Sequence, residues 1–354
     1  MSTPKSDARA RAVGQFLALL ALLLACTPRA KKARSDADSS VPPPSAHSDP
    51  IPRVTANTHG NTPQAEGIPG AVSVSSLLLA LPVSAYHVSL HADEGGFTLL
   101  SEKAVYRLVP GRAPVETPLA LGFGATARPS AVVFWADGAI REGALPGGKT
   151  RRLASLASRP QSFLTSGQEL AWIERAESGD VALRALVSGK AHTTYTASGS
   201  IEAATMLSDW VFFVERAKDA TWRIGGVKTA GGAPVFSDAR RGRTPSMLVA
   251  RRDLHYYDGN TREVRRLSPD FEREDVLARD FVCSPIAVWD HVYCAQVEGI
   301  SEIREGQAPL RLVEGTAGGP VAALAANARH VAWVADAGPD KLEVRALPLA
   351  APAR

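Results

Sequence analysis

The sequence predicts an all-β chain, a β-propeller of seven blades with about four strands each, six blades being the alternative. The propeller follows an N-terminal leader and a proline-rich linker. Three observations predict this. Short β-rich cores recur along the chain at spacings of 35 to 43 residues, the length of one four-stranded blade. No 3.6-residue apolar period is sustained beyond the N-terminus, whereas short apolar runs bounded by turn formers are frequent. The first 70 residues also differ in composition from everything that follows.

Residues 1–25 are basic and then apolar. Lys5, Arg9 and Arg11 precede an apolar run at 16–25. Ten residues of helix span about 15 Å, half of a bilayer core about 30 Å thick, so the run reads as a cleaved signal peptide. It ends in Leu23-Leu24-Ala25-Cys26. These residues resemble the lipobox of bacterial lipoproteins (branched apolar, small, small, Cys), with Leu24 standing where Ala or Ser is usual. The resemblance implies that Cys26 is lipidated, that residues 1–25 are removed, and that lipid rather than a transmembrane helix holds the chain to a membrane. Two or more acyl chains anchor where one is marginal. By similarity to enterobacterial sorting, Thr27 favours the outer membrane, with the domain facing the periplasm or the cell surface.

Residues 26–70 read as a disordered tether. Between 27 and 70 there are eight prolines and no Phe, Tyr or Trp, too little apolar surface to offset the entropy of ordering. A flexible chain of about 44 residues has an r.m.s. span of roughly 35–40 Å. Arg29, Lys31, Lys32 and Arg34 suit either contact with anionic headgroups or simple solvation. The formal net charge is +4, and loss of Lys5, Arg9, Arg11 and Asp7 with the leader reduces it to +2. That is too weak a basic footprint for nucleic-acid binding. No later stretch approaches the roughly eighteen apolar residues of a membrane span.

Residues 71–354 are expected to form the propeller, as a monomer. Its cores align on Leu100, Trp135, Trp172, Phe213, Tyr256, Cys294 and Trp333. Asp137-Gly138 and Asp258-Gly259 are tight-turn signals after second strands. Pro129, Pro160, Pro245, Pro285 and Pro320 lead into or lie near first strands. The last repeat ends after its third strand, at 342–347, and a strand at 72–79 is expected to supply the fourth. Such a clasp removes an exposed sheet edge. The architecture is similar to bacterial envelope propellers with TolB-like or YVTN-like blades, although neither a GH…WD pairing nor a YVTN string is present.

Chemistry-bearing motifs are sparse. Cys283 and Cys294 fall on either side of a turn centred near Val288-Trp289, which makes them expected cross-strand neighbours and, in an exported protein, a disulfide. His91-Ala92-Asp93-Glu94 is the densest mixed cluster and reads as a solvated turn. Glu272, Glu274 and Asp275 read as an acidic loop between blades 5 and 6. Arg240, Arg241 and Arg243, with Arg251 and Arg252 beyond, read as a basic loop with a solvated face. GxSxG, HExxH and phosphate-binding glycine loops are missing from the sequence. No catalytic, cofactor or metal residue is assigned. The expected function is therefore a lipid-anchored envelope protein whose propeller binds a protein or cell-wall glycan partner without catalysis. The alternative is a propeller enzyme, a polysaccharide lyase or hydrolase with its site at one channel mouth.

Overall fold

A computed structural model describes residues 75–82, 88–121, 124–176, 178–297, 299–315, 319–338 and 340–349. The expected signal segment, Cys26 and the tether lie outside these residues. Everything described is strand, turn or irregular backbone, and no helix occurs among the described residues.

Seven antiparallel sheets of at least four strands follow one another along the chain. Blades 1 to 6 span residues 89–117, 126–155, 162–196, 200–241, 248–278 and 286–314. Blade 7 takes Val321–Ala326, His330–Asp336 and Leu342–Pro348 from its own repeat. Its fourth strand is Ser76–Leu81, antiparallel to Leu342–Pro348. The clasp expected from the sequence is thus present, at 76–81 rather than 72–79. In this arrangement the outermost strand of the last blade comes from the other end of the domain, so opening the ring costs a whole strand pairing.

The strands arise from a period-two pattern with both faces covered. Val181–Val187 alternates buried and half-buried positions because its two faces pack on different blades. Seven apolar clusters result, one at each blade junction. Trp172, Phe213, Tyr256, Cys294 and Trp333 all lie in the cluster shared with the preceding blade. Leu100 and Trp135 do not, since they lie in clusters shared with the following blade. In blades 1 and 2 the structurally equivalent residues are Leu99 and Phe134, which contact the preceding blade. The sequence alignment was one residue out there, and a one-residue slip in a strand exchanges its faces.

Turn chemistry accounts for the hairpins. Asp137 (φ 51°) and Gly138 (φ 70°) are the two central residues between Ala131–Ala136 and Ala139–Ala144, the conformation that an Asp-Gly hairpin favours. Asp258-Gly259 behaves differently. The hairpin closes at Asp258 and Glu263, and the left-handed residue is Arg262 (φ 57°), not Gly259. The Asp258 carboxylate accepts the Asn260 amide N–H at 2.9 Å, an Asx turn that widens the loop to four residues.

Cys283 and Cys294 are joined by a disulfide, with Cα atoms 5.0 Å apart. The strand register differs from the one expected. Ile286, not Cys283, is the direct partner of Cys294, and the turn is centred on Asp290. Ser284 donates to the Ala295 carbonyl at 3.2 Å and Ala295 donates to the Pro285 carbonyl at 3.0 Å. Two residues thus face one, a bulge-like step that leaves Cys283 just ahead of the strand and within reach of Cys294.

Candidate functional site: the central channel

In blades 1 to 6 the chain passes through four antiparallel strand positions, the outermost split into two short strands in blade 4, so it returns to the same rim before starting the next blade. All seven first strands therefore run in the same sense around the axis. Each is paired on one side only, and the unpaired edges face inward. Together they enclose a channel of about 680 Å³. Small and apolar residues make up much of the wall, including Ala127, Ala204, Ala250, Ala287 and Ala325. Free strand edges add backbone donors and acceptors. Thr126, Ser162, Thr165, Thr205 and Ser246 contribute hydroxyls, while His91, Glu202 and Arg251 are the ionisable lining residues.

His91 sits on Ser89–Asp93, the first strand of blade 1. Its Nε2 lies 3.0 Å from the Ser89 Oγ. Burial pushes its pKa down to about 4, so the ring is neutral near pH 7. The expected solvated turn is therefore not what this cluster forms. His91 is in the channel wall, and Asp93 holds Arg107 through both carboxylate oxygens at 2.6 Å. Of the four residues of the cluster only Glu94 is exposed, on the turn.

The residue that follows each first strand rings one mouth. In blades 5 and 6 these residues are Arg251 and Trp289, one repeat apart in sequence. The Arg251 guanidinium carbon is 3.3 Å from the centroid of the Trp289 ring, a stacked cation–π contact. Burial lowers the Arg251 pKa, Asp290 and Glu94 act in the opposite sense, and Arg252 adds to the lowering. The other side of the Trp289 environment belongs to the apolar junction between blades 6 and 7. Sequence reading missed this pair. The signal was available, since both residues occupy the same place in successive repeats.

The basic run is dispersed rather than forming one loop. Arg240 is half-buried and donates to the Tyr256 hydroxyl at 2.5 Å and to Glu274 at 2.6 Å. Arg241 and Arg243 are exposed at the opposite rim, where Asn260 bonds the Arg243 backbone through both its side-chain atoms. Arg252 is exposed beside Arg251. The expected acidic loop between blades 5 and 6 is also corrected. Glu274 and Asp275 begin the fourth strand of blade 5, and both are ion-paired, Glu274 with Arg240 and Arg265, Asp275 with Arg266. Arg265 and Arg266, nine residues away on the adjacent strand, and Arg240, 34 residues away on the preceding blade, absorb these charges.

Ion pairs of this type recur on the blades, as in Arg184–Glu174, Arg223–Glu215 and Arg345–Glu343. Glu215 also accepts from Tyr195, Ser198 and the Ser198 amide. These contacts hold its carboxyl below the usual range despite burial, while the same bond and burial push Tyr195 up to about 12. Such groups are held in fixed pairs within the wall of the ring. Among the described residues no group of three or more His, Cys, Asp and Glu side chains is arranged to hold a metal. No described helix is long and apolar enough to cross a membrane.

No protein-family model and no curated protein matches the chain. Solved structures do match. A chain of the mitotic checkpoint complex is 12% identical, with a TM-score of 0.53 over 83% of this chain and 98% of that one. The WD40 β-propeller domain of Doa1 is 9% identical, with a TM-score of 0.52 over 77% and 97%. PorZ, described as an essential bacterial surface component of the type-IX secretion system of Porphyromonas gingivalis, is 12% identical, with a TM-score of 0.50 over 79% and 40%. At these identities the likeness is one of fold, and the chain is a seven-bladed β-propeller.

Proposed function

We propose that this protein is a lipid-anchored component of a bacterial cell envelope, attached through Cys26 and favouring the outer membrane. Its propeller is a binding scaffold that presents rim loops to a protein or cell-wall partner. The observation that carries the scaffold reading is the disposition of ionisable groups. General acid–base work needs such groups converging on one substrate position. Here Glu174, Glu215, Glu274 and Glu343 are committed to arginines within the blades. The channel itself is walled largely by small side chains and strand edges. A rigid ring with exposed loops at both rims is well suited to recognition, because little ordering entropy remains to be lost on binding.

The lipid and the partner are tested separately. Metabolic labelling with a palmitate analogue is expected to mark the wild-type protein and not Cys26→Ala; label persisting in that variant overturns the anchor. Crosslinking in the intact envelope, followed by capture, is expected to recover one dominant partner. Exchange of the rim loops should abolish that capture, and a partner retained after the exchange rules out recognition by the propeller.

A further inference from the structure

We propose that Arg251 forms an anion site at one mouth of the channel, and that the ligand is a polyhydroxylated monocarboxylate of the sugar-acid kind. The site lies at the inner edge of one rim; the partner reading is tested by capture in the envelope and this one by titration of Arg251 variants, so either can fail without the other.

The argument starts from a contrast. The blade arginines Arg107, Arg184, Arg223 and Arg345 each hold a carboxylate at 3.0 Å or less. Arg251 has no carboxylate among the described residues within the 4.0 Å of an ion pair. Its guanidinium carbon instead sits 3.3 Å over the centroid of the Trp289 ring, a separation too short for any orientation but a stacked one. Stacking occupies a face of the guanidinium and leaves the N–H groups in its plane, which are the ones that match a carboxylate bidentately. The indole holds the group in place, so less side-chain freedom remains to be lost when an anion arrives.

The surroundings narrow the ligand. Arg251 and Trp289 both line the channel, whose volume of about 680 Å³ lies in the range of small-molecule sites, roughly 300–1,000 Å³. Glu94 and Asp290 are close enough to influence Arg251 electrostatically without pairing with it, and Arg252 is the nearby like charge. Two carboxylates near one arginine disfavour a multiply charged anion. They favour a ligand with a single negative charge and hydroxyl donors, since hydroxyls can bond to carboxylates and to the free strand-edge carbonyls of the channel wall. His91, neutral near pH 7 and on the wall of the same channel, adds a group able to donate or accept without adding charge.

The test is calorimetric or ligand-observed NMR titration of the purified protein with glucuronate, with glucose and inorganic phosphate as comparison probes. Glucuronate is expected to bind saturably and glucose at least about tenfold more weakly, because a lost charge-assisted bidentate bond is worth that much or more. Arg251→Ala should weaken glucuronate binding by at least the same factor, with Arg251→Lys intermediate because a point charge remains without the fork. Should Arg251→Ala not fold, Arg251→Gln is read in its place, with thermal unfolding of each variant as the check on integrity. Trp289→Leu is expected to weaken binding by removing the platform. Equal affinity in wild type and the Arg251 variants overturns the proposal. So does phosphate binding as tightly as glucuronate, and so does the lack of a saturable glucuronate signal.

Discussion

In blade 4 the second strand turns Phe212 and Phe213 to opposite faces, whereas the matching strand of blade 6 carries Tyr293 and Cys294. The two blades meet the same packing problem, a wedge to be filled against each neighbour, and fill it by different chemistry. In blade 4, Phe213 packs against Tyr195 with ring centroids 4.8 Å apart and against Phe236 at 6.1 Å. Phe212 meets Phe271 edge-on at 6.1 Å. Space for these rings comes from the adjoining strand, where Gly225 lies directly opposite Phe213 and Gly226 opposite Phe212. A Cβ on Gly225 would come within 2.5 Å of the Phe213 ring. Blade 6 has a serine, Ser301, opposite Cys294 and a covalent bond to Cys283 in place of aromatic bulk. The difference teaches that the repeat constrains the volume of the wedge and not the residue type. Both blades bury apolar side chains on each face; blade 4 adds paired aromatic rings, and blade 6 adds a crosslink that restricts the unfolded chain.

The largest expected effect comes from emptying the aromatic wedge. Phe213→Ala should destabilise the propeller by about 3–5 kcal/mol, as large-to-small changes of buried aromatics do, measured as a shift in the urea midpoint at unchanged slope. A shift below about 1 kcal/mol would mean that the ring can collapse around the cavity, and the contrast between the blades would lose its basis. Next in size is the crosslink. With the cysteines 11 positions apart in sequence, reduction or the Cys283→Ser, Cys294→Ala pair should cost about 2–3 kcal/mol in the chain-entropy account. Denaturation with and without reductant measures this, and reductant should have no effect on the double variant.

Gly225→Ala sharpens the comparison from the opposite side, by overfilling. It should cost about 1–3 kcal/mol, and Phe213→Leu in the same chain should recover part of the loss because the two residues are cross-strand partners. Additive losses in that double-mutant cycle would separate the glycine from the ring. Blade 5, between the two, offers the smallest test. His255 is buried there near Asp253 and Arg266, and burial lowers its pKa from the ordinary 6.5 to about 4. Below about pH 6.5 the unfolded chain takes up a proton that the folded chain refuses, so this residue's contribution to stability falls as pH drops toward 4. His255→Gln should flatten the pH dependence of the unfolding free energy in that window, and an unchanged slope would assign the dependence to other groups.

Much of this fold was legible in the sequence because it is periodic. The positions of Trp172, Phe213, Tyr256, Cys294 and Trp333 reveal the blade length, and the missing fourth strand of the last repeat points back to the segment before blade 1. Legibility failed where period-two registration had weak support. Leu100 and Trp135 each have an apolar neighbour, Leu99 and Phe134, and composition alone does not say which of the two faces the preceding blade. It failed also at Asp258-Gly259, whose dipeptide signal does not show that the Asp258 side chain would bond Asn260 and widen the loop. Charge runs misled most. Arg240, Arg241, Arg243 and Arg251 are close in sequence, yet strand reversal sends them to a blade ion pair, to one rim and to the channel.

The sequence by itself determined the repeat and the strand-rich character, narrowed the blades to seven or six, and put Cys283 and Cys294 on facing segments. These depend on patterns within one or two repeats, where turn residues and alternation act locally. The tertiary structure alone decided which face of each strand meets which neighbour, how the arginines are shared among carboxylates, and that Arg251 lies on Trp289 with Glu94 near the same mouth. Those outcomes depend on ring closure, which places the equivalent residues of separate repeats around one axis, an arrangement that no local pattern encodes.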